Sequence, residues 1–535
     1  MTVSIAATGD AARAIDKMVP QLVADLVASG ITAEDPELWG PAAEAEASER
    51  LGWVEAVSVS TLLVAQIEAL RDSLRAEGVD HVVLAGMGGS SLAPEVITRT
   101  YGVPLTILDS TNPAQVRAAV EHDLERTVLV VSSKSGSTIE TDAQRRVYEQ
   151  AFRDAGIDPA QRIVVVTDPG SPLEASARDA GYRVFTADPN VGGRFSALTA
   201  FGLVPSGLAG ADIQELLDEA DAISALLAVD TDENPGLVLG AVLMSVDPTV
   251  SKIGIVPDGT HIVGFGDWIE QLLAESTGKD GLGLLPVVLT PDSPEVTNVP
   301  ADMQIIRIVG SRGAERHVAP NEAEIDGTLG GQILVWEYAV AVAGRLMGIN
   351  PFDQPDVEAA KAAARALLDG GAGDGSRRPE PAFEEAGTAV TATGFEPGTT
   401  VAQAVTGLLS GLGDRGYVAV QAYVDRTTSQ SLEPIRDLLA ARTGRPVTFG
   451  YGPRFLHSTG QYHKGGPANG VFLQIVSDDQ ADLDVPGRPF TFGQLIRAQA
   501  AGDASVLAQH GRPVLTLSTR DVPALAQALT AAVRS

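Results

Sequence analysis

Cysteine is absent from this chain of 535 residues, and its absence excludes disulfide bonds, thiol catalysis and metal sites with cysteine ligands. Histidine and carboxylate residues also form no cluster with the spacing of a metal site, so we expect no metal and no other cofactor. The N-terminal stretch lacks the continuous apolar segment of a signal peptide, and no apolar run is long enough to span a bilayer. These absences predict a soluble, cytoplasmic protein.

Basic residues are scarce: 38 lysine and arginine residues face 69 aspartate and glutamate residues, for a formal net charge of −31. This charge opposes binding to nucleic acid and to anionic membranes, because like charges repel before contact. We therefore expect neither as a partner and interpret most of the acidic surface as an aid to solubility. The same field opposes an anionic substrate, so a phosphate site must be a local cluster of cations and backbone N–H groups.

Short apolar runs alternate with helical stretches from about residue 76 onward. Before that point, apolar residues recur three and four positions apart, which predicts helices. Runs of β-branched residues at 81–86, 104–109, 127–133 and 162–168 each precede a turn and a helical stretch. This order predicts an α/β fold with a parallel sheet and helices on both faces, in which ligands bind beyond the carboxyl ends of the strands.

The alternation appears a second time in the runs 252–257, 286–290 and 304–310, before a long helix near 328–347. A chain of this length exceeds one hydrophobic core, and a glycine-, proline- and charge-rich stretch predicts a linker. The sequence leaves open whether the region after the linker is a separate domain or completes the second sheet. We divide the chain into an N-terminal helical segment (1–75), a first α/β domain (76–230), a second α/β domain (231–367), a linker (368–385) and a C-terminal α/β region (386–535).

The string GMGGSS opens the turn after the first predicted strand and contains Gly89 and Ser90. Glycine lets the backbone approach an anion closely, and the following helix offers free N–H groups. Such turns also bind dinucleotides, but that interpretation requires GxGxxG, and Ser91 stands where the third glycine belongs. The chain also lacks GxxxxGK[ST], so a dehydrogenase or nucleotide hydrolase is disfavoured.

The string SSKSGST follows the third predicted strand and places several hydroxyl groups in one turn before a helix. Hydroxyl and N–H groups can donate to the oxygens of a phosphomonoester without the burial of many cations. A single Ser or Thr would be an ordinary helix cap, but the number of hydroxyls exceeds what capping requires. We predict phosphate binding by Ser133, Lys134, Ser135, Ser137 and Thr138.

Two further segments, VGGRFSALTAFG (191–202) and INPFDQPDVEAAK (349–361), resemble the signature segments of phosphoglucose isomerases. GMGGSS and SSKSGST resemble the phosphate-side loops of the sugar isomerase (SIS) domains in that family. The segment RFLHSTGQYHKGGP (454–467) resembles the isomerase half of fused transaldolase–isomerase proteins. The resemblance implies two SIS-type, doubly wound parallel-sheet domains of the flavodoxin-like three-layer kind, with the C-terminal α/β region as an extension.

The family interconverts glucose 6-phosphate and fructose 6-phosphate through a cis-enediol without a metal, and the resemblance implies the same activity here. By motif, Glu275 resembles the base that moves the proton between C1 and C2, and Gln271 lies four residues before it on one helix face. Arg194 resembles the cation that stabilises the enediolate. Gln354 matches a residue directed toward the phosphate, and Lys361 one directed toward the ring oxygen.

The histidine that opens the sugar ring is missing from its usual place about thirty residues after the base, since 300–310 contains none. The nearest similar string, STGQYHKGGP, lies far downstream, and we predict that His463 within it is the ring-opening acid–base. His457 and His317 remain competing candidates. Asp356 also departs from the family, which usually has a small residue there, and adds a negative charge near the anion site.

Other functions remain open at this stage. A phosphomannose isomerase or a dual-specificity phosphoglucose/phosphomannose isomerase would use the same proton shuttle, and the sequence does not display the contacts that select an epimer. A non-catalytic SIS sensor would need the phosphate loops but not Arg194, Glu275 and Lys361 together. The expected partners are sugar phosphates, and the sequence leaves the oligomeric state open, a homodimer included.

Overall fold

The computed structural model describes residues 3–247, 249, 251–310, 318–369, 380–478 and 481–534. These residues form three sheets surrounded by helices. The strands are β1 (Ser4–Ala7), β2 (His81–Gly86), β3 (Thr106–Leu108), β4 (Thr127–Ser132), β5 (Ile163–Thr167), β6 (Arg183–Thr186), β7 (Lys252–Asp258), β8 (Leu285–Val288), β9 (Met303–Val309), β10 (Glu322–Asp326), β11 (Phe383–Glu385), β12 (Thr388–Thr393), β13 (Tyr417–Tyr423), β14 (Val447–Tyr451), β15 (Gly470–Ser477) and β16 (Val514–Thr519).

Helices connect the strands and cover the sheets. They are α1 (Gly9–Ala24), α2 (Val27–Thr32), α3 (Glu44–Ala47), α4 (Ala56–Ala76), α5 (Leu92–Thr100), α6 (Pro113–Glu121), α7 (Ile139–Asp154), α8 (Pro172–Asp179), α9 (Ala200–Ala209), α10 (Ile213–Leu227), α11 (Pro235–Leu243), α12 (Phe265–Thr277), α13 (Pro294–Thr297), α14 (Leu329–Met347), α15 (Val357–Asp369), α16 (Val401–Ser410), α17 (Pro434–Thr443), α18 (Gly460–Gly465), α19 (Phe492–Gln509) and α20 (Val522–Arg534).

The first sheet has the order β3-β2-β4-β5-β6, and each neighbouring pair is parallel. Its central strands β2 and β4 are nearly continuous runs of buried apolar residues, as expected for strands covered on both faces. Because β2 and β4 are neighbours, the loops that follow them, GMGGSS and SSKSGST, emerge side by side at the carboxyl edge. The predicted α/β class and the placement of both loops are confirmed.

The second sheet has the order β1-β10-β9-β7-β8 and is parallel except for β1, which pairs antiparallel with β10. Strand β1 comes from the N-terminal segment, which we expected to be entirely helical. Its register pairs Ser4 with Asp326 and Ala7 with Ala323. The first residues of the chain therefore close the edge of a sheet whose other strands lie more than two hundred residues downstream.

The third sheet belongs to the C-terminal region alone and has the order β11-β12-β16-β15-β13-β14. Strands β13 to β16 are parallel neighbours, whereas β12 runs antiparallel to both β11 and β16. The C-terminal region thus builds its own sheet instead of completing the second one. The linker expected at 368–385 ends earlier, because its last residues form β11, and residues 370–379 lie outside the described part of the chain.

Helix α14 is buried along almost its whole length. It packs against α10, α11 and α12, so it fixes the position of α12, which carries the candidate base. By length and apolar composition alone, the stretch Gly52–Ala76 could cross a membrane, which the sequence analysis had not anticipated. Core helices pass the same test, and here α4 packs against α9 and α10.

Candidate active site

Backbone segments from three parts of the chain meet at the glycine turn after β2. A Cβ atom added to Gly89 would lie 1.9 Å from the carbonyl oxygen of Gly193. One added to Gly88, whose φ is +56°, would lie 2.7 Å from the carbonyl oxygen of His457 and 2.8 Å from Gln271 Nε2. Glycine at both positions therefore permits the close approach of GMGGSS to the GGRFS signature, to α12 and to the C-terminal region.

Glu275 and Gln271 lie one turn apart on α12 and are both buried, as their spacing predicts. Gln271 Nε2 donates to Glu275 Oε2 over 3.2 Å and to the carbonyl oxygen of His457 over 2.9 Å. One amide group therefore orients the carboxylate of the second domain and holds the segment of the C-terminal region that carries His457.

Arg194 faces the same carboxylate from a 3-10 turn of the GGRFS signature and is 3% exposed. Its Nη1 lies 3.8 Å from Glu275 Oε2 and donates to Gln354 Oε1 over 2.7 Å. Nε donates to Ser276 Oγ over 2.7 Å, and Nη2 donates to the carbonyl oxygen of Pro351 over 2.6 Å. These hydrogen bonds hold the guanidinium of Arg194 in place, so its positive charge stays close to Glu275.

Burial raises the pKa of Glu275 above its usual value of 4.5. The nearby charges of Arg194, His457 and Lys361 and the hydrogen bond from Gln271 oppose this rise without cancelling it. A buried carboxylate with a raised pKa and a fixed cation is suited to accept a proton from carbon and to return it.

His457 reaches this group from a 3-10 helix of the C-terminal region, and its Nε2 lies 3.0 Å from Glu140 Oε1. Burial alone would raise the pKa of Glu140, but the charge and hydrogen bond of His457, together with a backbone hydrogen bond and the charge of Lys361, lower it below its usual value. An ionised carboxylate only accepts hydrogen bonds, so His457 Nε2 is the donor in this contact. Nδ1 is then the ring nitrogen left to exchange a proton with a substrate.

The structure places His457, and not the preferred His463, beside Glu140 and among the groups whose charge acts on Glu275, so the geometry favours His457, while the identity of the ring-opening histidine stays a prediction. His463 lies in α18, one face of which turns toward the third sheet. Its Nδ1 is 3.0 Å from the hydroxyl of Tyr417, and its ring packs on the rings of Tyr417 and Phe472.

The surroundings of His463 explain this placement. Burial first, and then the positive charges of Lys464 and Arg512, hold its pKa well below the usual value. The ring lines a small cavity with Glu270 and Gln421 and acts as an aromatic core residue there. The third candidate, His317, lies outside the described residues.

Hydroxyl groups of the SSKSGST loop bond to one another. Ser133 Oγ lies 3.1 Å from Thr138 Oγ1, and Ser135 Oγ lies 2.7 Å from Ser137 Oγ. Ser135 and Ser137 are exposed, so a phosphate group could approach them. Lys134 points elsewhere, since its Nζ contacts Asp168 Oδ2 at 2.7 Å and the carbonyl oxygen of Pro189 at 3.0 Å.

The NPFDQPD segment passes beside Arg194 and leads into α15. The exposed Gln354 accepts its hydrogen bond from Arg194, and Lys361 Nζ lies 2.8 Å from Glu358 Oε1. The charge of Lys361 also contributes to lowering the pKa of Glu275 and Glu140, and its role toward the ring oxygen stays a prediction. The unusual Asp356 accepts from Gln461 Nε2 over 2.7 Å, so its charge helps to dock the C-terminal region.

Sequence reasoning missed several polar residues around the site. Glu140 lies two positions after the end of SSKSGST, in the first turn of α7, and that position beside a predicted phosphate loop was a usable signal. Gln499 on α19 donates to Glu140 Oε1, and Lys279 donates to the carbonyl oxygen of Asn350. No motif marks Gln499, because its role depends on contacts between distant segments, whereas Lys279 ends the string AESTGK that contains Glu275 but was given no role.

Comparison with known proteins places these residues in a family. The family model described as phosphoglucose isomerase matches residues 69–282. A probable glucose-6-phosphate isomerase from Natronomonas pharaonis is 31% identical over 353 residues, which are 57% of this chain and 82% of that relative. The chain belongs to the phosphoglucose isomerase family. A second family member, from Haloarcula marismortui, is 30% identical over 370 residues, which are 59% of this chain and 85% of that protein.

Solved structures show the same fold as this family member. A hypothetical protein from Thermus thermophilus covers 68% of this chain along its own whole length (100%), with a TM-score of 0.58 and 23% identity. A glucose-6-phosphate isomerase from Chlamydia trachomatis covers 62% of this chain with 80% of its own length, at a TM-score of 0.51 and 22% identity. At these identities the likeness concerns the fold alone.

Proposed function

We propose that the chain interconverts D-glucose 6-phosphate and D-fructose 6-phosphate through a cis-enediol intermediate. The observation that carries this proposal is the buried Glu275 carboxylate with its raised pKa, 3.8 Å from the fixed cation of Arg194. The matched relatives are named glucose-6-phosphate isomerases, and the sequence covers most of their length. The reaction is a step of glycolysis and gluconeogenesis, and we place the enzyme in the cytoplasm.

Glu275 is the proposed base for the isomerisation step. Its carboxylate takes the proton from C2 of the open-chain aldose, and the electron pair of the C–H bond moves into the enediolate. The same group then returns the proton to C1 while the proton of the C2 hydroxyl passes to O1, which gives the ketose. Arg194 stabilises the negative charge that develops on the enediolate oxygen, and because its bonds to Ser276 and Pro351 hold it in place, it need not reorganise.

Ring opening requires a proton to reach the ring oxygen and another to leave the anomeric hydroxyl. We assign this exchange to His457, whose Nδ1 can accept a proton while Nε2 remains bonded to Glu140. The ionised Glu140 stabilises the imidazolium that forms. Lys361 is the proposed partner of the ring oxygen, in agreement with its charge acting on both carboxylates.

The phosphate group is proposed to bind at the SSKSGST loop. Ser135 and Ser137 offer exposed hydroxyls that lie within hydrogen-bond distance of each other, and Ser133 and Thr138 form a second such pair in the same loop. Gly89 and Ser90 line the adjacent turn, which we propose as a further substrate contact. Binding there is similar in the ground and transition states, so it should set KM more than kcat.

A coupled assay tests the proposal. Purified protein is mixed with fructose 6-phosphate or mannose 6-phosphate in the presence of EDTA, and glucose 6-phosphate is detected through its oxidation. We expect turnover of fructose 6-phosphate with the chelator present. Failure of this reaction would refute the proposed function, whereas turnover of mannose 6-phosphate at a similar rate would extend it to the second epimer.

A further inference from the structure

Gln499 is a buried residue of the C-terminal region, and its side chain forms a hydrogen bond with Glu140 of the candidate site. It lies in the middle of α19 and is 3% exposed. Its Nε2 donates to Glu140 Oε1 over 2.7 Å, and its Oε1 accepts from the hydroxyl of Thr111 over 2.7 Å. Both the NH₂ group and the oxygen of the amide therefore have hydrogen-bond partners within the protein.

The chemistry of the partners fixes the orientation of this amide. Because the ionised carboxylate of Glu140 only accepts, the NH₂ end of Gln499 must face it. The oxygen end then faces Thr111, whose hydroxyl can rotate to donate. The buried Thr111 of the first domain thus sets the direction of the bond that Gln499 gives to Glu140.

Gln499 and His457 converge on one atom. Glu140 Oε1 accepts from His457 Nε2 at 3.0 Å and from Gln499 Nε2 at 2.7 Å. Two donors at the same oxygen hold the carboxylate in one rotamer and keep that oxygen directed at the imidazole. Loss of the amide would leave the carboxylate free to rotate and His457 poorly oriented, although nothing would have changed at Glu275.

We propose that Gln499 is a positioning residue for ring opening, which acts on His457 through Glu140 in the relay Thr111–Gln499–Glu140–His457. The inference rests on the proposed function and adds a residue that does not touch the substrate. It also gives the C-terminal region two parts in the site, because α19 supplies Gln499 and the 3-10 helix supplies His457.

Two substrates separate ring opening from isomerisation. Glucose 6-phosphate must be opened first. A 5-deoxy analogue of fructose 6-phosphate has no hydroxyl with which to close the ring, so it enters at the proton-transfer step. Gln499→Met keeps the length of the side chain and removes both hydrogen bonds. Gln509→Met is the matched control, since Gln509 is exposed near the end of the same helix.

For Gln499→Met we expect kcat on glucose 6-phosphate to fall about ten- to hundredfold, the effect of one hydrogen bond to a charged group, while KM changes little. Turnover of the 5-deoxy analogue should stay near that of the unaltered enzyme. Gln499→Glu should lose more activity and shift the acidic limb of the pH profile upward, because a second carboxylate would face Glu140. Thr111→Val should have a smaller effect of the same kind.

Equal turnover of glucose 6-phosphate by Gln499→Met and the unaltered enzyme would overturn the inference. So would an equal loss on both substrates, because it would indicate general structural damage. Absence of isomerase activity in the unaltered enzyme would instead refute the proposed function, so the two failures are distinguishable.

Discussion

Replacement of His457 by Asn removes the imidazole from Glu140 while keeping the backbone carbonyl that accepts from Gln271. The His457 Nε2 to Glu140 Oε1 distance is 3.0 Å. When His457 is protonated, unit charges at that distance and an effective dielectric constant of about 20 attract each other by about 5.5 kcal/mol as an upper limit. Burial favours the protonated form of Glu140, and the charge and hydrogen bond of His457 are the largest effects that oppose burial, so we expect the pKa of Glu140 to rise in the variant.

The activity of His457→Asn should fall accordingly. Loss of a general acid–base typically costs about a hundred- to ten-thousandfold in kcat. We expect a loss of that size on glucose 6-phosphate and little loss on the 5-deoxy analogue, which needs no ring opening. Infrared difference spectroscopy of the carboxyl band would follow the protonation of Glu140 in parallel.

His463→Asn is the matched control for this prediction. It removes the bond to Tyr417 and disturbs the aromatic core, so it should lower stability by about 1–3 kcal/mol but leave kcat nearly unchanged. A variant of His463 that loses ring-opening activity while His457→Asn retains it would refute the placement of His457 in the site.

Further predictions concern the phosphate loop, the packing of the C-terminal region and the conditions of catalysis. The double change Ser135→Ala and Thr138→Ala should mainly raise KM and weaken inhibition by phosphorylated sugar acids, as measured by steady-state kinetics. Arg454 lies 2.5 Å from both Glu95 and Asp109, so Arg454→Met should lower the free energy of unfolding by about 3 kcal/mol at neutral pH. Burial alone would raise the pKa of Glu95, but its arginine partners lower it to about 2. The stability lost in Arg454→Met, measured by urea titration, should therefore decrease toward acidic pH, where the carboxyls that have lost Arg454 are protonated. Because the base has a raised pKa, kcat/KM should fall with decreasing pH already above 4.5. EDTA should leave the activity unchanged.

Much of the fold was predictable because its strands are continuous apolar runs. The run 81–86 coincides with β2, and the run 252–257 lies within β7. Strand β1 was not predictable, since it has four residues and its partner β10 lies more than three hundred positions away. Strand β10 has the sequence EAEID, and its acidic residues interrupt the apolar run by which a buried strand is recognised in a sequence.

The residues of the candidate site were predictable where one motif contains one residue for one role. They were not predictable where several residues of the same type could fill that role. Arg194 and Glu275 come together as their motifs imply. The choice between His457 and His463 could not be made, because they lie six positions apart in the same segment and the turn into α18 decides which one faces the site. Lys134 was expected to bind phosphate but is paired with Asp168, a residue that follows the neighbouring strand.

Proton exchange with solvent by Glu275→Gln tests the proposed chemistry at the isomerisation step. The variant keeps the shape of the side chain and removes the base, and Glu270→Gln on the same helix serves as the control. Glucose 6-phosphate is incubated in D₂O with each protein, and deuterium at C2 is followed by NMR. We predict that exchange in Glu275→Gln falls by about a hundred- to ten-thousandfold, with substrate binding retained. Exchange at the rate of the unaltered enzyme would contradict the assignment of Glu275 as the base that moves the proton between C1 and C2.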